Sequence, residues 1–259
     1  MQAVNYAART DVGKVREHNE DSYCVNTDLS LYVIADGMGG HASGEVASEI
    51  AVNTIEQQVA QGDSLLEAIK KAHWAIIKGV ETGAGKPGMG STVVALQLHD
   101  DDYTLAWMGD SRAYLWDQGL SQISKDHSLV QMLVDTGQIS KAEARVHPRK
   151  NIIYQNLGDA KTDDLQVSVK HGVLYQNQKV ILCSDGLSDE VDDEQMAGLV
   201  ARADNDEALV EELVTAAIEN GGRDNITVIV ISAAKDAPVK SAEVPMQDEV
   251  DDDTLQSDE

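Results

Sequence analysis

The chain is poor in aromatic residues and in positive charge. It has 259 residues, no phenylalanine and 4% aromatic residues, so aliphatic side chains must fill the core. Its 20 lysines and arginines stand against 45 acidic residues, which gives a formal net charge of -25. Surfaces that bind nucleic acid or anionic membranes need an excess of basic residues, so we expect neither partner.

Cysteine and long apolar runs are also scarce. Cys24 and Cys183 each lie in an apolar, strand-like stretch, and a secreted protein of this size would carry a fuller set of paired cysteines. We therefore expect both thiols to be reduced and buried. No signal-like segment opens the sequence, and no apolar run approaches the length of a membrane span. These absences predict a cytoplasmic protein, which we expect to be a monomer.

The hydrophobic pattern predicts one folded domain over residues 1–235 and an acidic, disordered tail over residues 236–259. The tail has nine acidic residues against Lys240 alone and offers almost nothing to bury. The segment 127–154 mixes short helical patterns and is predicted to leave the main sheets. Elsewhere the periodicity predicts strands at 4–9, 22–26, 31–35, 93–98, 103–107, 113–116, 180–183 and 226–231, and helices at 44–61, 64–77, 194–200 and 208–218.

Two short apolar runs each end in an Asp-Gly pair. Asp36-Gly37 follows the first run, and Asp185-Gly186 follows the second. A single Asp-Gly after a strand is most simply a turn. The repetition instead favours a site in which carboxylates at strand ends meet, next to backbone that can approach a ligand closely.

Further acids lie at strand ends or beside glycine, where one sheet system could bring them to a common edge. Clustered carboxylates raise one another's pKa values, and a pair of divalent cations removes that conflict. Oxygen ligands favour Mg²⁺ or Mn²⁺ over Zn²⁺. Two such ions can lower the pKa of a bridging water and hold a phosphoryl group for in-line attack, while Arg16 could clamp the phosphate oxygens. The acids of this proposed set are Asp21, Asp36, Asp110, Asp185, Asp189 and Asp224.

Seven short motifs occur in an order that resembles the metal-dependent serine/threonine protein phosphatases of type 2C, in their bacterial form. The resemblance extends over roughly residues 9 to 231, and the order of the motifs is far more specific than any one of them. The motifs are Arg16 to Asp21, Asp36 to His41, Gly88 to Thr92, Gly109 to Arg112, Asp126 to Ser128, Ser184 to Asp189, and Asp224-Asn225.

The resemblance implies an α+β fold, a four-layer α-β-β-α sandwich of two antiparallel sheets flanked by helices. It also implies a mobile flap over residues 129–154. For the site, it implies a metal pair held by Asp36, the Gly37 carbonyl, Asp185 and Asp224, waters held by Glu20 and Asp21, a third ion near Asp110 and Asp189, and phosphate binding by Arg16.

The implied reaction is hydrolysis of phosphoserine and phosphothreonine in proteins that are targets of a serine/threonine kinase, by direct attack of a water bridging two Mn²⁺ or Mg²⁺ ions. Animal members carry a histidine, a proposed general acid, where this chain has Met38. We expect His41 to protonate the leaving oxygen, with His127 and His147 as less direct candidates. A structural role for His41 in its glycine turn remains open.

Three other interpretations are less favoured. A non-catalytic binding or scaffold module of the same fold should have lost metal-site acids, and none is missing. A nucleotide-binding loop at 83–92 is disfavoured because Pro87 follows Lys86 where serine or threonine is required. A calcium loop at 248–253 lacks the glycine and the spaced glutamate. Single acids such as Asp126 and Asp192 are expected to be solvated or to cap helices.

Overall fold

The computed structural model describes residues 4–39, 43–161, 165–233 and 237–240. In chain order the strands are β1 (Asn5–Asp11), β2 (Asp21–Asn26), β3 (Leu31–Met38), β4 (Gly90–Ser91), β5 (Val93–His99), β6 (Asp102–Met108), β7 (Arg112–Trp116), β8 (Leu120–Gln122), β9 (Ser168–Val173), β10 (Lys179–Cys183) and β11 (Ile226–Ser232). The helices are α1 (Ser43–Ala60), α2 (Leu65–Glu81), α3 (Leu129–Asp135), α4 (Lys141–Arg145), α5 (Asp185–Ser188), α6 (Asp193–Arg202) and α7 (Asp206–Asn220).

The strands form two antiparallel sheets. The first has the order β1-β11-β10-β7-β8, and the second has the order β2-β3-β5-β6-β9, with β4 paired to β3. The predicted strands are present. The pattern missed the two-residue strand β4, and it missed β8 and β9, which form edges of the sheets and have no buried residue.

Three apolar layers hold the sandwich together, because successive strand residues point to opposite faces. In β3, Val33 packs under α1 and α2, whereas Ile34 enters the layer between the sheets. In β10, Ile181 packs under α6 and α7, whereas Leu182 enters that central layer. Both sheets are thus buried on two faces, and the predicted four-layer α-β-β-α fold is confirmed.

The segment 127–154 lies outside both sheets, as predicted, between β8 of the first sheet and β9 of the second. Ser128 caps α3 and Ser140 caps α4, each accepting a hydrogen bond from a backbone amide three residues on. The segment returns beside its own start, where the Leu129 amide donates to the Ile152 carbonyl at 2.8 Å. Two short helices and an irregular return segment, joined to Ser128 by an isolated bridge at Ile153, therefore form the flap.

The cysteines and the start of the acidic tail qualify two expectations. Cys183 is buried and Cys24, on edge strand β2, is half-buried; neither forms a disulfide with a described residue. Residues 237–240 contact the domain, with the Pro238 carbonyl accepting from the Gln176 amide at 2.9 Å. The rest of the predicted tail, 241–259, lies outside the described residues. Across the described part of the chain, no helix has the length and apolar content of a membrane span.

Candidate metal centre and active site

Strand ends bring the predicted acids to one end of the sandwich. Asp21 at the start of β2 lies opposite Asp36 near the end of β3. Asp110 lies in the turn between β6 and β7, Asp185 follows β10 after one residue, and Asp224 precedes β11 by one residue. Because neighbouring antiparallel strands run in opposite directions, these starts and ends share one edge. Asp21 is buried and is not among the residues that line the cleft at this end. The cleft is lined by Arg16, Glu20, Asp36, Gly37, Met38, Gly39, Thr92, Asp110, Asn151, Ile153, Asp185, Asp224 and Asn225.

Gly37 lets β3 approach the start of α1. A Cβ atom at Gly37 would lie 2.0 Å from the Gly44 carbonyl oxygen, so no larger residue fits. The Gly37 amide donates to the Glu20 carbonyl at 3.1 Å, and the Glu20 side chain in turn lies against Gly44. This close packing keeps Glu20 and the Gly37 backbone together at the cleft.

Burial and mutual repulsion keep protons on the inner acids. Burial raises the pKa of Asp21 to about 6 and that of Asp110 to about 7. Burial also raises the pKa values of Asp36 and Asp185 well above the ordinary range, and each of these carboxyls is repelled by several of the others. A group of acids that opposes its own ionisation is one that divalent cations would stabilise.

The arrangement fits a hard divalent cation. Asp185 Oδ1 is fully enclosed and has no hydrogen-bond partner among the described residues, although buried oxygens are normally paired. Carboxylate and carbonyl oxygens, the ligands Mg²⁺ and Mn²⁺ prefer, are the donors present here. Within the described ranges, no group of three or more acidic, histidine or cysteine side chains has the spacing of a metal site built from side chains alone.

Two of the outer acids are held by basic side chains. Arg16 Nη2 donates to Asp224 Oδ2 at 2.6 Å, and this contact is the main reason that the pKa of Arg16 is raised. Asp189 is paired with Lys150 from the flap. Arg16 and Asp224 therefore meet in the cleft, whereas Asp189 lies in an adjoining cavity that shares Asp110 and Asp185.

One expectation for a single acid is wrong. Asp126 is neither solvated nor a helix cap: it is 5% exposed, and Arg112 Nη2 donates to its Oδ2 at 2.7 Å. This buried ion pair joins β7 to the turn before the flap. Its two residues are 14 positions apart in the sequence, so no local pattern predicts the contact. Asp192, in contrast, caps α6 as expected, by accepting from the Gln195 amide.

The candidate proton donors are not equally placed. His127 is buried; its Nδ1 accepts from the Gly109 amide at 3.3 Å, its Nε2 lies 3.0 Å from Ser168 Oγ, and burial lowers its pKa. His147 Nδ1 accepts from the Arg149 amide. Neither is among the described residues that line the cleft, and His41 lies outside the described residues. Sequence reasoning missed Asn151 and Ile153, which the flap places in the cleft and which no motif marks.

Comparison with known proteins decides the family. A family model described as protein phosphatase 2C matches residues 14–215. The chain belongs to the protein phosphatase 2C family. The serine/threonine phosphatase stp of Listeria welshimeri is 37% identical over 238 residues, which cover 86% of this chain and 93% of the relative.

Solved structures of this phosphatase 2C family share the fold. The crystal structure of the serine/threonine phosphatase PstP/Ppp of Mycobacterium tuberculosis superposes with a TM-score of 0.81 at 35% identity, over 89% of this chain and 99% of that one. The catalytic domain of PstP in complex with two manganese ions superposes with a TM-score of 0.79 at 34% identity, over 89% and 98% of the two chains.

Proposed function

We propose that this chain is a metal-dependent phosphatase that hydrolyses phosphoserine and phosphothreonine in proteins. The observation that carries the proposal is the meeting of Asp36, Asp185 and Asp224 with Arg16 in one cleft of a phosphatase 2C fold. Relatives named as serine/threonine phosphatases, one of them solved with two manganese ions, support the reaction and the metal. A binding module without activity would not need this set of mutually repelling acids.

The proposed roles are those that the resemblance to the phosphatase 2C family implies for these residues. Asp36, the Gly37 carbonyl, Asp185 and Asp224 would hold a pair of Mn²⁺ or Mg²⁺ ions, and Glu20 and Asp21 would bind waters beside them. Asp110 and Asp189 would hold a third, weaker ion. When bound, the metal pair lowers the pKa of a water and offsets the negative charge of the phosphoryl oxygens.

The chain's own groups would orient the substrate. The Arg16 side chain is 48% exposed and lines the cleft, where its planar fork of N–H donors can bind two phosphate oxygens. To do so it must exchange Asp224 for the phosphate. His41 would donate a proton to the leaving serine or threonine oxygen.

For the cellular setting, we propose a monomer that acts in the cytoplasm and opposes a serine/threonine kinase in signal transduction. The two unpaired cysteines support a reducing compartment.

Hydrolysis of p-nitrophenyl phosphate tests the proposed function. We expect activity with Mn²⁺, no activity with chelator, and a loss of at least about 100-fold in Asp36→Asn and Asp185→Asn, because an amide is a weaker metal ligand than a carboxylate. Asp28→Asn, an exposed acid far along the hairpin from Asp21, is the matched control and should retain activity. Metal-independent activity, or variants as fast as the parent, would contradict the proposal.

A further inference from the structure

Asp21 is buried next to the cleft, opposite Asp36, and hydroxyl groups hold one of its oxygens. Ser184 Oγ donates to Asp21 Oδ2 at 2.7 Å, and Thr227 Oγ1 donates to the same oxygen at 2.6 Å. Ser184 and Thr227 are fully buried, and Asp21 is 8% exposed. Every hydrogen bond from a described residue to this carboxylate goes to Oδ2, so Oδ1 is the oxygen left for another partner.

The hydrogen bonds continue away from the cleft in one direction. Thr227 Oγ1 has one proton and gives it to Asp21, so toward Thr10 Oγ1, 2.8 Å away, it can only accept. Thr10 therefore donates to Thr227 and accepts from Asn19 Nδ2 at 2.8 Å. The Asn19 amide is itself oriented, because its Oδ1 accepts from the Asp21 backbone amide at 3.1 Å. These hydrogen bonds form a closed ring, here called the relay, which runs from Asp21 through Asn19, Thr10 and Thr227 back to Asp21.

This relay crosses from one sheet to the other. Thr10 and Thr227 are register partners on β1 and β11 of the first sheet, whereas Asp21 begins β2 of the second sheet. Hydrogen bonds between polar side chains thus connect the two sheets at the edge that carries the site, from half-buried Thr10 and Asn19 to buried Thr227 and Asp21. Buried polar groups are costly unless each is satisfied, and here every hydroxyl is.

Ser184 gives a second sign that the network serves Asp21. It occupies the position before α5 where a serine side chain normally accepts a hydrogen bond from the helix, yet it makes no such bond. Its hydroxyl accepts from the Thr227 amide at 2.9 Å and donates to Asp21. The Ser184 hydroxyl therefore binds the Asp21 carboxylate and does not cap α5.

We propose that Thr227, supported by Thr10 and Ser184, is a positioning residue that fixes Asp21 through Oδ2 and so keeps Oδ1 turned to the metal site. The inference rests on the proposed function for the role of Asp21. Groups that orient the residues of a metal site typically change metal affinity 10- to 100-fold when they are removed.

Mn²⁺ binding measured by isothermal titration calorimetry on the full chain tests this inference. Thr227→Val keeps the shape and the strand propensity but removes the hydroxyl, and we expect the Kd for Mn²⁺ to rise about tenfold. Thr227→Ser restores the donor and should stay within about twofold of the parent. Thr104→Val, a matched change on β6 where Thr104 bonds the exposed His171, should leave the Kd unchanged.

Each outcome decides the inference. An unchanged Kd in Thr227→Val, whatever its melting temperature, or an equal rise in Thr227→Ser, would overturn it. If Thr227→Val does not fold, Thr10→Val decides the question. Thr227 then keeps its hydrogen bond to Asp21 but loses the one it accepts from Thr10, so the Kd for Mn²⁺ should rise by a smaller factor. An unchanged Kd in Thr10→Val would overturn the proposal. Failure of the parent to hydrolyse p-nitrophenyl phosphate with Mn²⁺ would instead contradict the proposed function, since the calorimetry does not depend on turnover.

Discussion

Four aspartates hold their protons more tightly in the folded chain than an exposed aspartate does. Burial raises the pKa of Asp21 to about 6 and that of Asp110 to about 7, and it raises those of Asp36 and Asp185 well above the ordinary range. A folded state that binds more protons than the unfolded chain loses stability as the pH rises from the unfolded pKa to the folded one. Without metal, stability should therefore fall as the pH rises from about 4 to at least about 7, the range set by Asp21 and Asp110.

The melting temperature of chelator-treated protein checks this expectation. We expect it to be lower at pH 8 than at pH 5 by about 5 °C or more, since each kcal/mol corresponds to about 2 to 4 °C at this chain length. Mn²⁺ should stabilise the protein more at pH 8 than at pH 5, because its ligands must be deprotonated. Asp185→Asn should flatten the pH dependence, whereas Asp28→Asn should not. Equal melting temperatures at both pH values in metal-free protein would contradict the prediction.

Sequence reasoning found some residues of the cleft and not others for a physical reason. Asp36 and Asp185 are marked locally, each by a buried strand before it and a glycine after it. The residues that hold the other acids are not marked by the local sequence. Lys150 lies 39 residues from Asp189, and Thr227 lies 206 residues from Asp21. Such contacts depend on how the two sheets pack, and no spacing along the chain encodes them.

At the scale of elements, the same contrast applies to strands. β3, β10 and β11 are buried on both faces and stand out as apolar runs. β9 is an edge strand whose Val169, Lys170 and His171 are exposed, so its sequence has no apolar face. The fold class could be predicted from the central strands, while the edges needed the structure.

The junction of α5 and β11 tolerates no added methyl group. A Cβ at Gly186 would lie 1.9 Å from the Asn225 carbonyl oxygen, whereas a Cβ at Gly198 in α6 would meet nothing within 4 Å. We expect Gly186→Ala to lower the free energy of unfolding by about 2 kcal/mol or more through overpacking. Gly198→Ala should raise it by about 0.5 to 1 kcal/mol through helix propensity. Urea denaturation of both variants measures this, and a stable Gly186→Ala would show that the junction can relax.

The flap is fastened to the body by basic side chains. Arg145 Nη1 donates to the Ser188 carbonyl at 3.1 Å, and Lys150 pairs with Asp189. We expect Arg145→Ala to speed amide hydrogen exchange in residues 129–154 about fivefold, which corresponds to about 1 kcal/mol of local opening free energy. Lys141→Ala, an exposed change at the start of α4, is the control and should not alter exchange. Unchanged exchange in Arg145→Ala would show that other contacts hold the flap.

At the scale of the whole molecule, the charge of -25 opposes long-range attraction of a phosphoprotein. Attraction must then be local, at Arg16 and at the bound metal. Residues 241–259 hold eight acids and no lysine or arginine, so a chain that ends at Lys240 has a formal charge of -17. That boundary keeps the contacts of residues 237–240, including the 2.6 Å ion pair of Lys240 with Asp117.

Two truncations separate charge from packing. A chain ending at Lys240 should keep the parent melting temperature and the parent kcat/KM for p-nitrophenyl phosphate. At low ionic strength its kcat/KM for an acidic phosphopeptide should rise about two- to fivefold, because repulsion is weaker, and the gain should vanish near 0.5 M salt, where screening is complete within a few ångströms. A chain ending at Ala233 also loses buried Ala237 and the Pro238 contact, so it should melt several degrees lower. If both truncations melt like the parent, the domain ends near residue 235, as the composition alone predicts.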